Sequence, residues 1–261
     1  MPKIRYLKIR FANRLHPREL PCFRAAVIEA TERESSLFHN HRNPEGYHYR
    51  YPLIQYKIDH RKAAIVCLND GADDIHYLLR QRELNLRIGE RQERFEIEDV
   101  RLNYFNVQTW QTSFEYSLLN WIALNQQNFR RYQQLDSEIE RLQLLERILT
   151  GNILAFAKYL DWMVEDRIEV RITRLKEQRA LPYKGHKVRC FSLNFRCNVS
   201  LPDYTGIGKG ASTGFGVVRE IGRGKGEFGS RKSEGGNRKS ESLTDPIPLE
   251  KRERTDENRK L

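Results

Sequence analysis

From Phe191 to Val199 apolar and polar residues alternate without a break. Phe191, Leu193, Phe195, Cys197 and Val199 fall on one parity, and Ser192, Asn194, Arg196 and Asn198 on the other. Successive side chains of a strand point to opposite faces, so this segment reads as a strand buried on one side and wet on the other. Ile168, Val170 and Ile172 alternate in the same way with Arg167, Glu169 and Arg171. Two such strands predict a half-buried antiparallel sheet with a partly basic outer face.

The first half of the chain adds an order to this pattern. Residues 3–11 alternate Ile4, Tyr6 and Lys8 with Arg5, Leu7 and Ile9, as a strand does. A helix follows, with Pro21 suited to its first position and Phe23, Val27 and Ala30 on one face. Strands are expected at 52–58 and 62–68, and a short helix over Asp73 to Gln81. Strand-like segments return at 84–88 and 94–108. Strand, helix, strand, strand, helix, strand is the order of a ferredoxin-like unit.

The second half is less direct. Residues 114–134 fit a strand or a helix. Ser137-Glu138-Ile139-Glu140 has the capping-box pattern of a helix start, and Ile139, Leu142, Leu145 and Leu149 make an apolar face behind it. Gly151 either ends that helix or only punctuates it. Trp110, Trp121 and Trp162 read as packing residues. From Gly222 onward Gly, Ser, Arg, Lys and Glu dominate, and too little apolar surface remains to offset ordering, so the tail is expected to be disordered. The expected architecture is α+β: two tandem ferredoxin-like (RRM-like) domains with antiparallel sheets, at 1–112 and 113–221, and a disordered C-terminal tail at 222–261.

Charge narrows the partners. The net charge is +11. The tail holds 11 basic and 8 acidic residues, so about +8 belongs to residues 1–221. An excess of this size on the folded part favours a polyanion, nucleic acid before an acidic membrane surface. No apolar run approaches the roughly 20 residues of a membrane span, and residues 1–10 lack a signal-peptide core, so a cytoplasmic location is expected. Cys22, Cys67, Cys190 and Cys197 are scattered in apolar contexts and read as buried free thiols rather than zinc ligands.

One segment stands apart. Gly206-Ile-Gly-Lys-Gly-Ala-Ser-Thr-Gly-Phe-Gly216 has five glycines in eleven residues. Without a Cβ, backbone N–H groups can turn toward a phosphate, and Lys209 adds a charge in the middle. A Walker A loop is excluded, because no Gly-Lys-Ser or Gly-Lys-Thr occurs. The G-x-G-x-x-A at Gly206 to Ala211 needs a helix behind it to bind a dinucleotide, and here a strand-like Phe215-Gly-Val-Val follows. A glycine-rich turn without ligand is the alternative. The candidate RNA contacts in the loop are Gly206, Gly208, Lys209, Gly210, Ser212, Gly214 and Gly216.

The loop resembles the C-terminal glycine-rich signature of CRISPR-associated endonucleases that cut repeat transcripts into guide RNAs, within the RAMP superfamily. The resemblance extends to Leu37-Phe-His-Asn-His41, Tyr49-Arg-Tyr-Pro-Leu-Ile-Gln-Tyr-Lys57, Trp121-Ile-Ala-Leu-Asn-Gln-Gln-Asn128 and Leu149-Thr-Gly-Asn-Ile153, and covers about residues 3–221. It implies two ferredoxin-like domains and an RNA substrate. It also implies metal-free cleavage by the ribose 2′-hydroxyl, with 5′-hydroxyl and 2′,3′-cyclic phosphate ends. No cofactor and no metal are expected. A non-catalytic RNA-binding subunit of a CRISPR ribonucleoprotein complex is the alternative, with other subunits of that complex as partners.

Cleavage of that kind needs a base for the 2′-hydroxyl, an acid for the leaving 5′-oxygen and positive charge for the phosphorane. Histidine suits both proton roles. His39 and His41 stand two apart after the first helix, where the resemblance implies the general base. Loop histidines without a role, or metal ligands, are the competing readings. Tyr47 precedes the strand and can donate to the scissile phosphate. Arg42, Arg50 and Lys57 lie around it as candidate phosphate contacts, with Lys57 read alternatively as an outward strand residue. His16, His60, His76 and His186 read as surface residues.

Overall fold

The alternation at the N-terminus forms strand β1, Lys3–Arg14, and both of its faces are used. Ile4 and Tyr6 are buried on one face, and Leu7, Ile9 and Phe11 belong to a core on the other. A strand with two buried faces must lie inside a sheet, and β1 does. In this computed structural model residues 3–31 and 51–222 are described.

Helix α1, Leu20–Thr31, begins one residue before Pro21, because the start signal lies further upstream. His16 caps a single 3-10 turn, Pro17–Glu19, that leads into the helix. Its ring accepts from the Arg18 N–H, and Glu19 accepts from the His16 N–H. Leu20, Phe23, Ala26 and Val27 form the buried stripe. Cys22 lies off that stripe and is exposed, against expectation, while Cys67, Cys190 and Cys197 are buried.

The next strands, β2 (Ile54–Asp59) and β3 (Lys62–Leu68), are joined by a two-residue turn at His60 and Arg61. Both turn residues have positive φ, 49° and 67°, as a tight hairpin matched to strand twist requires. The expected helix at 73–81 is two short ones, α2 (Asp70–Asp74) and α3 (His76–Leu79). The expected strand at 94–108 is also divided. A hairpin of β4 (Leu84–Ile88) and β5 (Arg91–Phe95) precedes β6 (Ile97–Asn106). Leu84, Leu86, Ile88 and Phe95 leave the main sheet to cover the core that α1 shares. The main sheet has the order β2-β3-β1-β6, antiparallel throughout. This is the ferredoxin-like order, with the hairpin inserted before its last strand.

The ambiguous stretch resolves into both options. Strand β7 is Thr109–Trp121, and helix α4 is Gln126–Gln134, capped by Asn125. Helix α5, Glu138–Tyr159, starts at the Ser137 cap and runs straight through Gly151. Its buried stripe is Leu145, Leu149, Ile153, Phe156 and Ala157. Ile139, expected on that stripe, is 67% exposed. Six residues at about 100° each place it roughly 120° from Leu145. Then come β8 (Val170–Tyr183), β9 (His186–Val199) and β10 (Val217–Glu220), in a sheet of order β10-β7-β9-β8.

The two sheets therefore share one strand order. In the second half, the place of the second helix is taken by residues 200–216, which carry the glycine-rich loop. Ile4, Tyr6, Val66 and Leu68 of the first half join Leu118, Trp121, Tyr204, Ile207 and Val218 of the second in one buried cluster. Among the described residues no helix is long and apolar enough to cross a membrane. The tail from residue 223 lies outside the described residues.

Candidate functional site

The loop is built on β2. The Tyr56 N–H donates to the Ser212 carbonyl at 2.9 Å, and Tyr56 bridges Thr213 in parallel, so the loop runs beside the outer edge of the first sheet. Gln55 accepts from the Gly206 N–H at 2.7 Å and donates to the Tyr51 hydroxyl at 2.7 Å. That hydroxyl donates in turn to the Gly206 carbonyl at 2.5 Å. Lys57 donates to the Ala211 carbonyl at 2.6 Å. Gln55 and Lys57 are fully buried and Tyr51 nearly so. Burial pushes the Tyr51 phenol well above its ordinary value, so it stays a donor.

The second half supplies the other wall. Asn120 sits at a positive φ of 51°, and the pairing of β7 with β9 shifts register there. Its carbonyl accepts from the Gly216 N–H at 3.3 Å. Bulges re-aim strands beside sites in this way. The shift also turns Trp121 fully inward, where its indole donates to Asn152 on α5 at 2.9 Å. Gly208 packs against that pair: a Cβ there would stand 2.6 Å from Asn152 Oδ1 and 3.0 Å from Trp121 Nε1. The sequence blocks around Tyr51–Lys57, Trp121 and Asn152 thus converge on the loop.

The stem of the loop is buried and its tip is open. Gly206, Gly210 and Gly216 are buried, Gly208, Ser212 and Gly214 are half-buried, and Lys209 is exposed. No carboxylate pairs with Lys209 among the described residues. Lys57 does not face outward as a strand cation. It lies fully buried beneath the loop, because β2 is covered by residues 206–213 instead of standing at an open edge. His39, His41, Arg42, Tyr47 and Arg50 lie outside the described residues. The chain re-enters them at Tyr51, on the loop itself.

Two further groups were not singled out from the sequence. The first is the hairpin of β8 and β9, which turns at Lys184 and Gly185. Arg179, Lys184, Lys187 and Arg189 are exposed along its outer part. Tyr183 joins it to the loop, lying edge-on to Phe215 at 5.4 Å, with Lys209 Nζ 5.4 Å from its ring centre. Lys184-Gly185 between two alternating runs was the available signal. The second group surrounds Asp59 at the seam. The carboxylate accepts from Lys8 at 2.8 Å, from His60 at 2.6 Å and from the Tyr204 hydroxyl. These bonds hold it well below the usual carboxylate range despite burial. Arg219 donates to the same Tyr204 hydroxyl and covers its ring.

Known proteins resemble this chain along the same divisions. The family model of the Cas6b N-terminal domain matches residues 2–106, and that of the Cas6b C-terminal domain matches residues 108–221. A crystal structure of Cas6b superposes with a TM-score of 0.75 at 29% identity, covering 84% of this chain and 100% of that one. A second, described as the CRISPR RNA processing endoribonuclease Cas6b, gives 0.65 at 27% identity with the same coverage. An uncharacterised protein of Methanocaldococcus jannaschii is 42% identical over 101 residues, 39% of this chain and 67% of its own length. With both domain models matched in order and the fold shared over 84% of its length, the chain belongs to the Cas6b family of CRISPR RNA processing endoribonucleases.

Proposed function

We propose that the protein cuts CRISPR repeat transcripts by attack of a ribose 2′-hydroxyl on the adjacent phosphate, without a metal ion. His39 and His41 act as base and acid, and Tyr47 donates to the scissile phosphate. The attacking oxygen bonds to phosphorus as its proton passes to one histidine. The 5′-oxygen leaves with a proton from the other. One strand then ends in a 2′,3′-cyclic phosphate and the other begins with a 5′-hydroxyl, so no water enters the step.

The observation that supports this reading best is the open, cationic tip of the loop beside the basic hairpin. Lys209 and the arm from Arg179 to Arg189 line a surface suited to phosphates. Glycine at the tip allows close approach of the backbone, and Tyr183 and Phe215 offer aromatic faces. In this reading the loop and hairpin hold the RNA, Arg42 and Arg50 contact its backbone, and the histidines cut it. The glycines of the stem act by shaping the loop, since they are buried.

A non-cutting RNA-binding subunit would use the same surface. Cleavage of repeat RNA in EDTA separates the two. The expected result is a single cut, with the 5′ fragment resistant to polyadenylation until its cyclic phosphate is removed. Repeat RNA bound but left intact, with or without metal, would establish the binding subunit instead.

A further inference from the structure

Among the groups that hold the loop, Lys57 is unlike the rest. Gln55 and Tyr51 are neutral and satisfy one another, whereas Lys57 brings a charge into a fully buried place. Its ammonium donates to the Ala211 carbonyl at 2.6 Å, and no carboxylate pairs with it among the described residues. A Cβ on Gly206 would stand 2.6 Å from Lys57 Nζ and 2.8 Å from the Ala211 carbonyl oxygen. The ammonium therefore fills the stem of the turn between Gly206 and Ala211, whose exposed tip is Lys209. A buried cation without a counter-ion is costly, and one bond to a carbonyl does not replace its hydration. If the residue served only to hold the loop, a neutral donor such as Gln55 would do so at lower cost.

We propose that Lys57 is a positioning residue whose charge, set beneath the glycine-rich turn, is completed by an RNA phosphate seated at its tip. This rests on the reading that the loop holds RNA, and it adds how binding there is controlled. Among the described residues the charge has no counter-ion in the free protein. In the complex the phosphate supplies one through the thin glycine backbone, and the turn is held in the form that receives it.

The consequence is a proton taken up on binding. Burial lowers the Lys57 ammonium to about 7 in the free protein. A nearby phosphate favours the charged form and raises that value. Affinity is then full below about pH 7 and falls as pH rises, by up to tenfold per pH unit until the value in the complex is reached. The charged or titratable side chains on the described segments around Lys57 include Tyr6, Lys8, Arg10, Tyr51, Tyr56, Asp59, His60, Lys62, Tyr204, Lys209 and Arg219, and none of them is hydrogen-bonded to it.

The test uses the full-length protein and a repeat RNA with a 2′-deoxy block at the cut site. Binding is followed from pH 6 to 9 for the wild type, Lys57→Met, His60→Gln and Lys209→Ala. Wild type and His60→Gln are expected to lose affinity above about pH 7, and Lys57→Met to bind weakly with a flat profile. Lys209→Ala is expected to weaken binding and keep the slope. Should Lys57→Met fail to fold, calorimetry on the wild type at pH 8 in buffers of different ionisation enthalpy must still show net proton uptake. A flat wild-type profile without uptake, or a wild-type slope in Lys57→Met, overturns the proposal. RNA binding indifferent to Lys209 would instead remove the reading of the loop on which it rests.

Discussion

Replacing His41 by alanine is expected to slow repeat-RNA cleavage by about 10²–10⁴-fold, the usual contribution of one proton-transfer group. His39→Ala should fall in the same range. The two losses should combine to less than their product if the histidines work as one unit. RNA affinity is expected to stay within about threefold, because binding is assigned to other side chains: Lys209 on the loop, Arg179 to Arg189 on the hairpin, and Arg42 and Arg50. Single-turnover rates and equilibrium binding, measured on one labelled RNA, separate the effects. Full-rate cleavage by the double variant would remove the histidines from the mechanism.

The second large effect belongs to Gly216. Its φ of +61° costs a side-chain residue roughly 1–2 kcal/mol. An added Cβ would also stand 2.0 Å from the Ile207 carbonyl oxygen, which is backbone in a buried stem. Ile207 donates to the Gly216 carbonyl at 2.8 Å, and Gly216 donates to the Asn120 carbonyl. Both bonds are strained if the chain moves aside. Gly216→Ala is therefore expected to lose about 3–4 kcal/mol of stability, at the upper end for a single substitution. For a domain of this size that is a fall of about 6–16 °C in Tm. RNA binding should drop as well, since the loop cannot close on β2. A variant with unchanged Tm would mean that the turn is not built this way.

Much of the fold could be read from single segments, because period-two alternation needs no knowledge of distant residues. The strands at 84–88 and 191–199 are of that kind, whereas 62–68 is a continuous apolar run that is buried on both faces. The divided strand at 91–106 could not be read so. Glu96 alone separates two runs of strand-like residues, and only the core that β4 and β5 cover shows why they part. The missing second helix of the second unit was hidden for a related reason. The glycines marked a loop, but nothing local shows that this loop stands where a helix would.

The site shows the same limit more sharply. Lys57 is flanked by Tyr56 and Ile58 in an ordinary strand pattern, and its burial depends on Ala211, 154 residues away. Charged residues on a strand read as solvent-facing unless the covering segment is known. Asn120 gave no bulge signal either, since its positive φ follows from where Trp121 must point. The resemblance to CRISPR-associated repeat-RNA endonucleases was carried by short blocks whose meaning became physical only when Tyr51, Trp121 and Asn152 met around the loop.

In the proposed mechanism the RNA cuts itself with its own 2′-hydroxyl while the protein holds and protonates it. A single 2′-deoxy nucleotide immediately 5′ of the scissile phosphate tests this most directly. In EDTA, such an RNA is expected to bind as tightly as the unmodified repeat and to remain uncut at that position. Cleavage at the same phosphate at an undiminished rate would contradict the account, because the attacking oxygen would then have to come from water.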